Sequence, residues 1–114
     1  TRGIAQAMNC EVEITIKQVT APVINESDIS ASVLRTAQGV FPETTIDTTP
    51  YITMGAEDMG YMQEKVPGCY FLIGSGNDEK KLNYNHHHPK FDFDEQALVR
   101  GAALMASAAA DLLK

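Results

Sequence analysis

The feature that most constrains this fold is a continuous apolar run at residues 69–73, Cys-Tyr-Phe-Leu-Ile. Pro67 and Gly68 precede the run, and a Gly-Ser-Gly-Asn loop follows it at residues 74–77. A short apolar run between turn signals is typical of a strand covered on both faces, as in a largely parallel sheet. In open α/β sheets ligands gather at the carboxyl ends of the strands. The loop at 74–77 contains no basic residue, so we interpret it as a plain turn rather than a phosphate site.

A second kind of strand is predicted at residues 10–16, where apolar and polar side chains alternate. This alternation indicates an antiparallel sheet with one face in water, so the two strands belong to different sheets. Pro22 then breaks the pattern and marks a crossover between two units. We predict that residues 1–20 end a small domain and that residues 21–114 belong to a larger one. The chain begins at Thr1 rather than at a methionine, which we interpret as a piece of a longer protein.

Apolar residues also recur at helical spacing in four places, and helices together with the predicted strands indicate an α/β fold class. Residues 2–8 are predicted to be the last turns of one helix, and residues 26–38 a second helix that Asn25 caps and Gly39 ends. A third helix is expected from the loop at 54–58 to about Lys65, and a fourth begins after Asp94 as its cap. The apolar stripe predicted for the fourth helix consists of Leu98, Gly101, Ala102, Met105, Ala109 and Leu112. Short strands are expected near Ile46 and Ile52.

Composition excludes several classes of partner. The net charge of -6 and the pI near 4.9 repel nucleic acid and anionic membranes, so neither is expected as a partner. No apolar run reaches the roughly 18 to 20 residues of a membrane helix. The two cysteines, Cys10 and Cys69, lie in predicted apolar strands, where buried and reduced thiols are expected. Reduced thiols suit the cytoplasm, which is the predicted location.

All three histidines lie together at residues 86–88, just before Pro89. In extended backbone, alternate side chains point to opposite sides, so His86 and His88 would share one side and His87 would face the other. Pro89 favours extended backbone at His88. One inward histidine is a candidate metal ligand. A solvated surface loop is the second interpretation, and a metal clip formed by His86 and His88 is the third.

Three motifs, in order, resemble the aminoacylase and carboxypeptidase type of metallopeptidase, in its bacterial N-acyl-amino-acid amidohydrolase and hippurate hydrolase branch. The Met-Gly-Ala-Glu-Asp-Met of residues 54–59 looks like that family's Gly-Ser-Glu-Asp-Phe loop. Residues 66–77 are similar to its Val-Pro-Gly strand with the glycine loop behind it. Residues 87–95, His-His-Pro-Lys-Phe-Asp-Phe-Asp-Glu, resemble its closing His-His-Pro motif, and residues 22–25 resemble its Pro-x-x-Asn.

The resemblance implies part of a zinc-exopeptidase-like catalytic domain with a mostly parallel sheet, preceded by the last helix and strand of a small α/β dimerisation or lid domain. It implies divalent metal ions, with zinc or manganese preferred and cobalt or nickel able to replace them. His87 maps onto the family's metal ligand. The resemblance places Gly55, Glu57, Asp58 and Gly74 at the rim of the substrate site, although Glu57 and Asp58 are at least as well explained as caps of the helix that follows.

The leading hypothesis is therefore the C-terminal part of a metal-dependent amidohydrolase that cleaves N-acyl amino acids or small peptides through a metal-activated water. The chain has no His-x-Asp pair and no Glu-Glu pair, so the general base and most ligands would come from the missing N-terminal part of the same protein. We expect the chain alone to be inactive and the full-length protein to be a homodimer. The alternative is a non-catalytic binding or interaction domain derived from the same fold.

Overall fold

The computed structural model describes residues 1–114, and its regular elements are four helices. These are α1 at Arg2–Ala7, α2 at Ser27–Val40, α3 at Met59–Gln63 and α4 at Gln96–Leu112. All four predicted helices are confirmed, although α3 is shorter than predicted and its last turns are irregular. Gly39 does not end α2, because no glycine has a positive φ and the helix continues to Val40.

The core lies between α2 and α4. Val33, Thr36 and Ala37 of α2 are buried, and they pack against the face of α4 that contains Leu104 and Ala108. The apolar stripe predicted for α4 is wrong by about one residue, since Leu98 and Met105 are 61% and 65% exposed. Most of the α4 surface is apolar, so its periodicity does not select a face. The contact uses the side with small residues, which allows a close approach.

No sheet forms in this chain, so neither the mostly parallel sheet nor the strand predicted at residues 10–16 is present. The β-pairing consists of one antiparallel bridge between Asn77 and Leu82. Residues 10–16 are exposed and have no ladder partner, and residues near Ile46 and Ile52 form no strand. A strand, unlike a helix, satisfies its main chain only by pairing with another strand. The sequence pattern was that of strands, but no partner strands lie within these 114 residues.

The run at residues 69–73 is covered on one side only. The Cδ1 atom of Ile73 lies 3.0 Å from the place where a Cβ atom on Gly101 would be, so this segment packs against the small-residue surface of α4. Leu72, which points the other way, is 62% exposed. The prediction that both faces are covered is therefore not met. The radius of gyration of 19.9 Å exceeds the roughly 13 Å expected of a compact domain of this length.

Two local expectations are corrected, the cap of α2 and the burial of Cys10. Asn25 does not cap α2, because the carboxylate of Glu26 accepts from the Ile29 amide at 2.8 Å and Asn25 turns towards Tyr70 instead. Both thiols are unpaired, as predicted, but Cys10 is exposed because its segment has no partner. No helix combines the length and the apolar character needed to cross a bilayer.

Candidate metal and substrate site

The three histidines lie on a turn, so the extended backbone predicted for them is wrong. The His88 amide donates to the Asn85 carbonyl at 3.1 Å, which closes a four-residue turn with His86 and His87 at its centre. His87 has a φ of 66°, in the left-handed region that glycine enters freely and that asparagine, aspartate and histidine enter more often than other residues. Strand alternation therefore does not set the direction of the His87 side chain, which comes from this turn.

Two of the three imidazoles are held by aromatic neighbours. His88 stacks on Tyr84 with ring centroids 4.4 Å apart, and its Nδ1 accepts from the Lys90 amide at 3.1 Å. His86 contacts Phe91 edge to face at 4.8 Å. The two rings thus have different aromatic partners within the chain, and the metal clip of His86 and His88 stays a prediction. The aromatic residues flanking the histidines in sequence were the signal for these contacts.

His87 differs from both neighbours. Its ring makes no hydrogen bond and no aromatic contact within the chain, and the residue is exposed. An imidazole without internal partners keeps both nitrogens available to a ligand or a metal ion. The structure thus separates His87 from the other two histidines, by the partners of the rings rather than by strand alternation.

The histidine turn lies beside the glycine loop. A cavity of about 510 Å³ has walls from Ser75 and Gly76 on one side and from Tyr84, His86 and Phe91 on the other, with Asp92 adding the one carboxylate. Nothing approaches the Cβ position of Gly74 within 4 Å, so this glycine borders open space. Two motifs that are ten residues apart in sequence therefore share one concave surface.

The glycine loop is anchored to the start of α4 by Asp94. The Asn77 side-chain amide donates to Asp94 Oδ2 at 2.6 Å, and Lys80 Nζ lies 3.0 Å from Oδ1. The Asp94 amide donates to the Ser75 carbonyl at 2.8 Å. Hydrogen bonds from Asn77, Lys80 and the Gln96 amide lower the pKa of Asp94 to about 2. Asp94 thus caps α4, as predicted, and also fixes the loop.

The loop at residues 55–58, which is predicted to form the rim of the substrate site, does not cap α3 with its carboxylates. Neither Glu57 nor Asp58 caps α3 with its side chain; the Glu57 carbonyl accepts from the Gly60 amide, and the Asp58 carbonyl accepts from the Tyr61 amide. Partial burial raises the pKa of the Tyr70 hydroxyl, and the nearby Glu57 carboxylate raises it further. The Gly55 amide donates to Thr53 Oγ1 at 3.2 Å. Glu57 is therefore placed against residues 69–73 rather than on its own helix.

The residues of this chain do not by themselves build a metal site. No group of three or more histidine, cysteine, aspartate or glutamate side chains is arranged to hold an ion. Protein sites for zinc and related ions usually need at least three ligands. His87 offers one nitrogen donor, and the chain supplies no second and third ligand beside it.

With these motifs in place, comparison with known proteins assigns the family. The chain matches the family described as Peptidase family M20/M25/M40 over residues 3–111. The chain belongs to this family. The match covers nearly every residue, including the three motifs and the crossover, and it supports an α/β peptidase fold.

Relatives in the family carry hydrolase names. The chain is 33% identical over 111 residues to YhaA of Bacillus subtilis (strain 168), whose name describes an amidohydrolase, with 95% of this chain and 27% of that protein aligned. It is 32% identical over 93 residues to thermostable carboxypeptidase 1 of Saccharolobus solfataricus, covering 82% and 22%. It is 33% identical over 101 residues to N-acetyldiaminopimelate deacetylase of Lacticaseibacillus paracasei, covering 88% and 25%.

The chain spans about a quarter of the length of the curated relatives it matches. No solved structure gives a significant match.

Proposed function

We propose that this chain is the C-terminal part of a metal-dependent amidohydrolase that cleaves the amide bond of N-acyl amino acids or small peptides. The observation that carries the proposal is the family match across residues 3–111, joined to a histidine turn that leaves one imidazole free. Relatives named amidohydrolase, carboxypeptidase and deacetylase all act on amide bonds by name, which supports this reaction class over others.

His87 is the proposed metal ligand. A ligating imidazole must be neutral and must have a free nitrogen, and His87 is the histidine of the turn whose ring has no aromatic or hydrogen-bonding partner. When bound, a divalent ion lowers the pKa of a coordinated water and so makes it a nucleophile at neutral pH. Zinc or manganese is the proposed ion, with cobalt and nickel as substitutes.

This chain contributes a wall of the site rather than its chemistry. The cavity between the glycine loop and the histidine turn would receive part of the substrate. Gly74, which borders open space next to the lining residue Ser75, and Gly55 do not line this cavity themselves and are proposed to lie at the rim of the complete site. Glu57 and Asp58 are free of capping bonds from their side chains, which supports a place at that rim. The general base and the remaining ligands are proposed to lie in the rest of the protein, so the chain alone would be inactive.

The domain division and the assembly are part of the same proposal. Residues 1–20 would end a small lid or dimerisation domain, because they make few contacts and no sheet within this chain. Residues 21–114 would complete the catalytic domain. The full-length protein is proposed to act as a cytoplasmic homodimer on a small-molecule substrate, with no nucleic acid or membrane as a partner.

The test removes His87 from the full-length protein without disturbing the turn. Asparagine tolerates the left-handed backbone that His87 adopts, so His87→Asn removes the imidazole with little strain. We expect this variant to lose bound metal, measured by elemental analysis, and to lose hydrolysis of N-acyl amino acids.

The matched control for this test is His86→Asn, which changes the neighbouring residue of the same turn. It should keep its metal, because His86 contacts Phe91. Equal metal content in His87→Asn and the parent protein would contradict the proposed role. Hydrolysis by the isolated 114-residue chain that a chelator abolishes would contradict the claim that essential parts lie elsewhere.

The competing function is a non-catalytic binding domain of the same fold, which a family match alone does not exclude. A binding domain would bind N-acyl amino acids and release them unchanged, even when divalent metal ions are added to the full-length protein. Calorimetry together with product analysis on one sample distinguishes the two functions.

A further inference from the structure

Helix α3 is held to the crossover by three contacts of different kinds. The Tyr61 hydroxyl donates to the Val19 carbonyl at 2.8 Å, and the Ile24 amide donates to Gln63 Oε1 at 2.8 Å. Between them Gly60 is buried, and a Cβ atom there would lie 2.8 Å from the carbonyl carbon of Ala21. The helix therefore lies directly on the backbone of residues 19–24, and only glycine fits at position 60.

The amide of Gln63 also reaches the other side of the helix. Its Nε2 donates to the Gly68 carbonyl at 3.2 Å and to Asn25 Oδ1 at 3.4 Å. The Gly68 carbonyl in turn accepts from the Glu26 amide at 2.9 Å. One side chain thus joins the crossover to the turn that begins the segment 69–73.

The side-chain amide of Asn25 completes this network by pairing with the main chain of Tyr70, as a residue of a neighbouring strand would. Its Nδ2 donates to the Tyr70 carbonyl at 2.7 Å, and the Tyr70 amide donates to its Oδ1 at 2.7 Å. A side-chain amide has the same donor and acceptor pair as a peptide group, so it can form both bonds with one residue of an extended segment. Asn25 therefore fixes the start of residues 69–73, which lead into the glycine loop.

We infer that α3 is a coupling element, with Gln63 and Asn25 as its positioning residues, that ties the crossover at 19–25 to two edges of the site. One edge is the rim loop at 55–58, which continues into α3, and the other is the segment 69–73. This inference rests on the proposed function in that these edges border the proposed substrate site. A rotation of residues 1–20 about the crossover would then move both edges together, so lid movement would reposition the rim of the site.

The first experiment follows amide hydrogen exchange by NMR in the full chain. Gln63→Met keeps the length of the side chain and removes its amide. We expect exchange of the Gly60, Tyr70 and Glu26 amides to become about five- to tenfold faster together, because each lost hydrogen bond contributes about 1 kcal/mol to local stability. The amide signal of Gly55 should shift as the rim loop moves.

The matched control is Gln38→Met on the exposed surface of α2, where the same change should leave the three amides unaltered. A merely local role for Gln63 predicts faster exchange at residues 64–68 alone. That result, or unchanged exchange at Gly60 and Tyr70, would overturn the coupling.

The second experiment uses Asn25→Asp as a conservative variant with a pH-dependent rescue. An ionised aspartate only accepts, so the bond to the Tyr70 carbonyl is lost at neutral pH; the protonated carboxyl donates again below about pH 4. The Tyr70 amide keeps an acceptor in this variant, but the second carboxylate oxygen then faces the Tyr70 carbonyl oxygen, and the repulsion between these two acceptors opens the pair. The protection factor of the Tyr70 amide should therefore fall about tenfold at pH 7 and recover as the carboxyl is protonated. Glu26 and Glu57 are the other carboxylates near this site, and both remain in the Asn25→Ala control, which should not recover at any pH.

Equal protection at about pH 3, where most of an ordinary aspartate is protonated, and at pH 7 in Asn25→Asp would refute the positioning role of Asn25. No histidine takes part in the network, so His87→Asn should leave the Gly60 and Tyr70 amides unchanged. Failure of the proposed hydrolase function and failure of the coupling thus give different results.

Discussion

The helix pair α2 and α4 and the extended segment at residues 10–16 all carry apolar side chains that could be buried, yet the helices are packed and the segment is exposed. Residues of α2 and α4 bury each other, whereas Ile16 is 90% exposed. A helix forms all its hydrogen bonds within itself and needs only one apolar neighbour, whereas a strand also needs a partner for its main chain. In a chain that spans about a quarter of its relatives, helices find their partners locally and strands do not.

The largest expected effect lies in the helix pair. Leu104 is 8% exposed and is the largest buried side chain of α4, so Leu104→Ala should lower the free energy of unfolding by about 2–4 kcal/mol. The measurement is urea unfolding followed by circular dichroism. Met105→Ala is the control at the next position, which is 65% exposed, and should change stability by less than about 0.5 kcal/mol. Equal losses for the two variants would mean that α4 packs on another face.

A smaller effect is expected from the polar contact within the same pair. The hydroxyl of Thr36, a residue that is 7% exposed, donates to Asp111 Oδ2 at 2.8 Å. Thr36→Val keeps the shape and removes this hydrogen bond, so it should cost about 1 kcal/mol. Thermal unfolding against Thr45→Val, an exposed threonine outside the helices, checks this expectation. No loss in Thr36→Val would show that the helices are held by apolar contact alone.

The junction between the helix pair and the glycine loop should depend on pH. The pKa of Asp94 is depressed to about 2, first by Asn77 and then by Lys80, so the stabilising contact is present above the unfolded value near 3.9 and is lost as the pH falls towards 2. Asn77→Ala should move the pKa of Asp94 upwards, as measured by carbon-detected NMR titration. Asn83→Ala, whose amide contacts Asp78 instead, should leave the Asp94 titration unchanged.

The smallest effect is predicted for the bare segment. Ile16→Thr should change the free energy of unfolding by less than about 0.5 kcal/mol, because the side chain is 90% exposed. A loss of 2 kcal/mol or more, on the order of a core truncation, would mean that residues 10–16 are paired in solution. The contrast between helices and strands would then disappear.

Local patterns predicted the elements that depend on local interactions. The spacing of Val33 and Ala37 gave α2 and its buried face, and Asp94 was correctly expected to cap α4. The face of α4 could not be predicted, because nearly every position on this helix is apolar or small. The role of Asn25 was missed because capping and pairing with a distant peptide use the same amide, and only the position of Tyr70 decides between them.

The candidate site was predicted in part. The sequence groups the histidines and points to His87, but the extended backbone predicted for them is wrong, since His87 lies in a turn with a φ of 66°. His87 differs from its neighbours because Tyr84 contacts the ring of His88 and Phe91 contacts the ring of His86. Contacts of this kind depend on the turn, which the main-chain bond from the His88 amide to the Asn85 carbonyl closes.

The bare segment at residues 10–16 has a consequence for any solution of this chain. From Glu11 to Ile16 its main-chain donors and acceptors have no partner within the chain, and its alternating pattern is the one that adds a further strand to an existing edge. A second molecule offers such an edge in the same register, so self-assembly into intermolecular ladders should grow with concentration, and the net charge of -6 opposes it only until salt screens the repulsion. The association of the folded chain should therefore depend on protein concentration and on ionic strength.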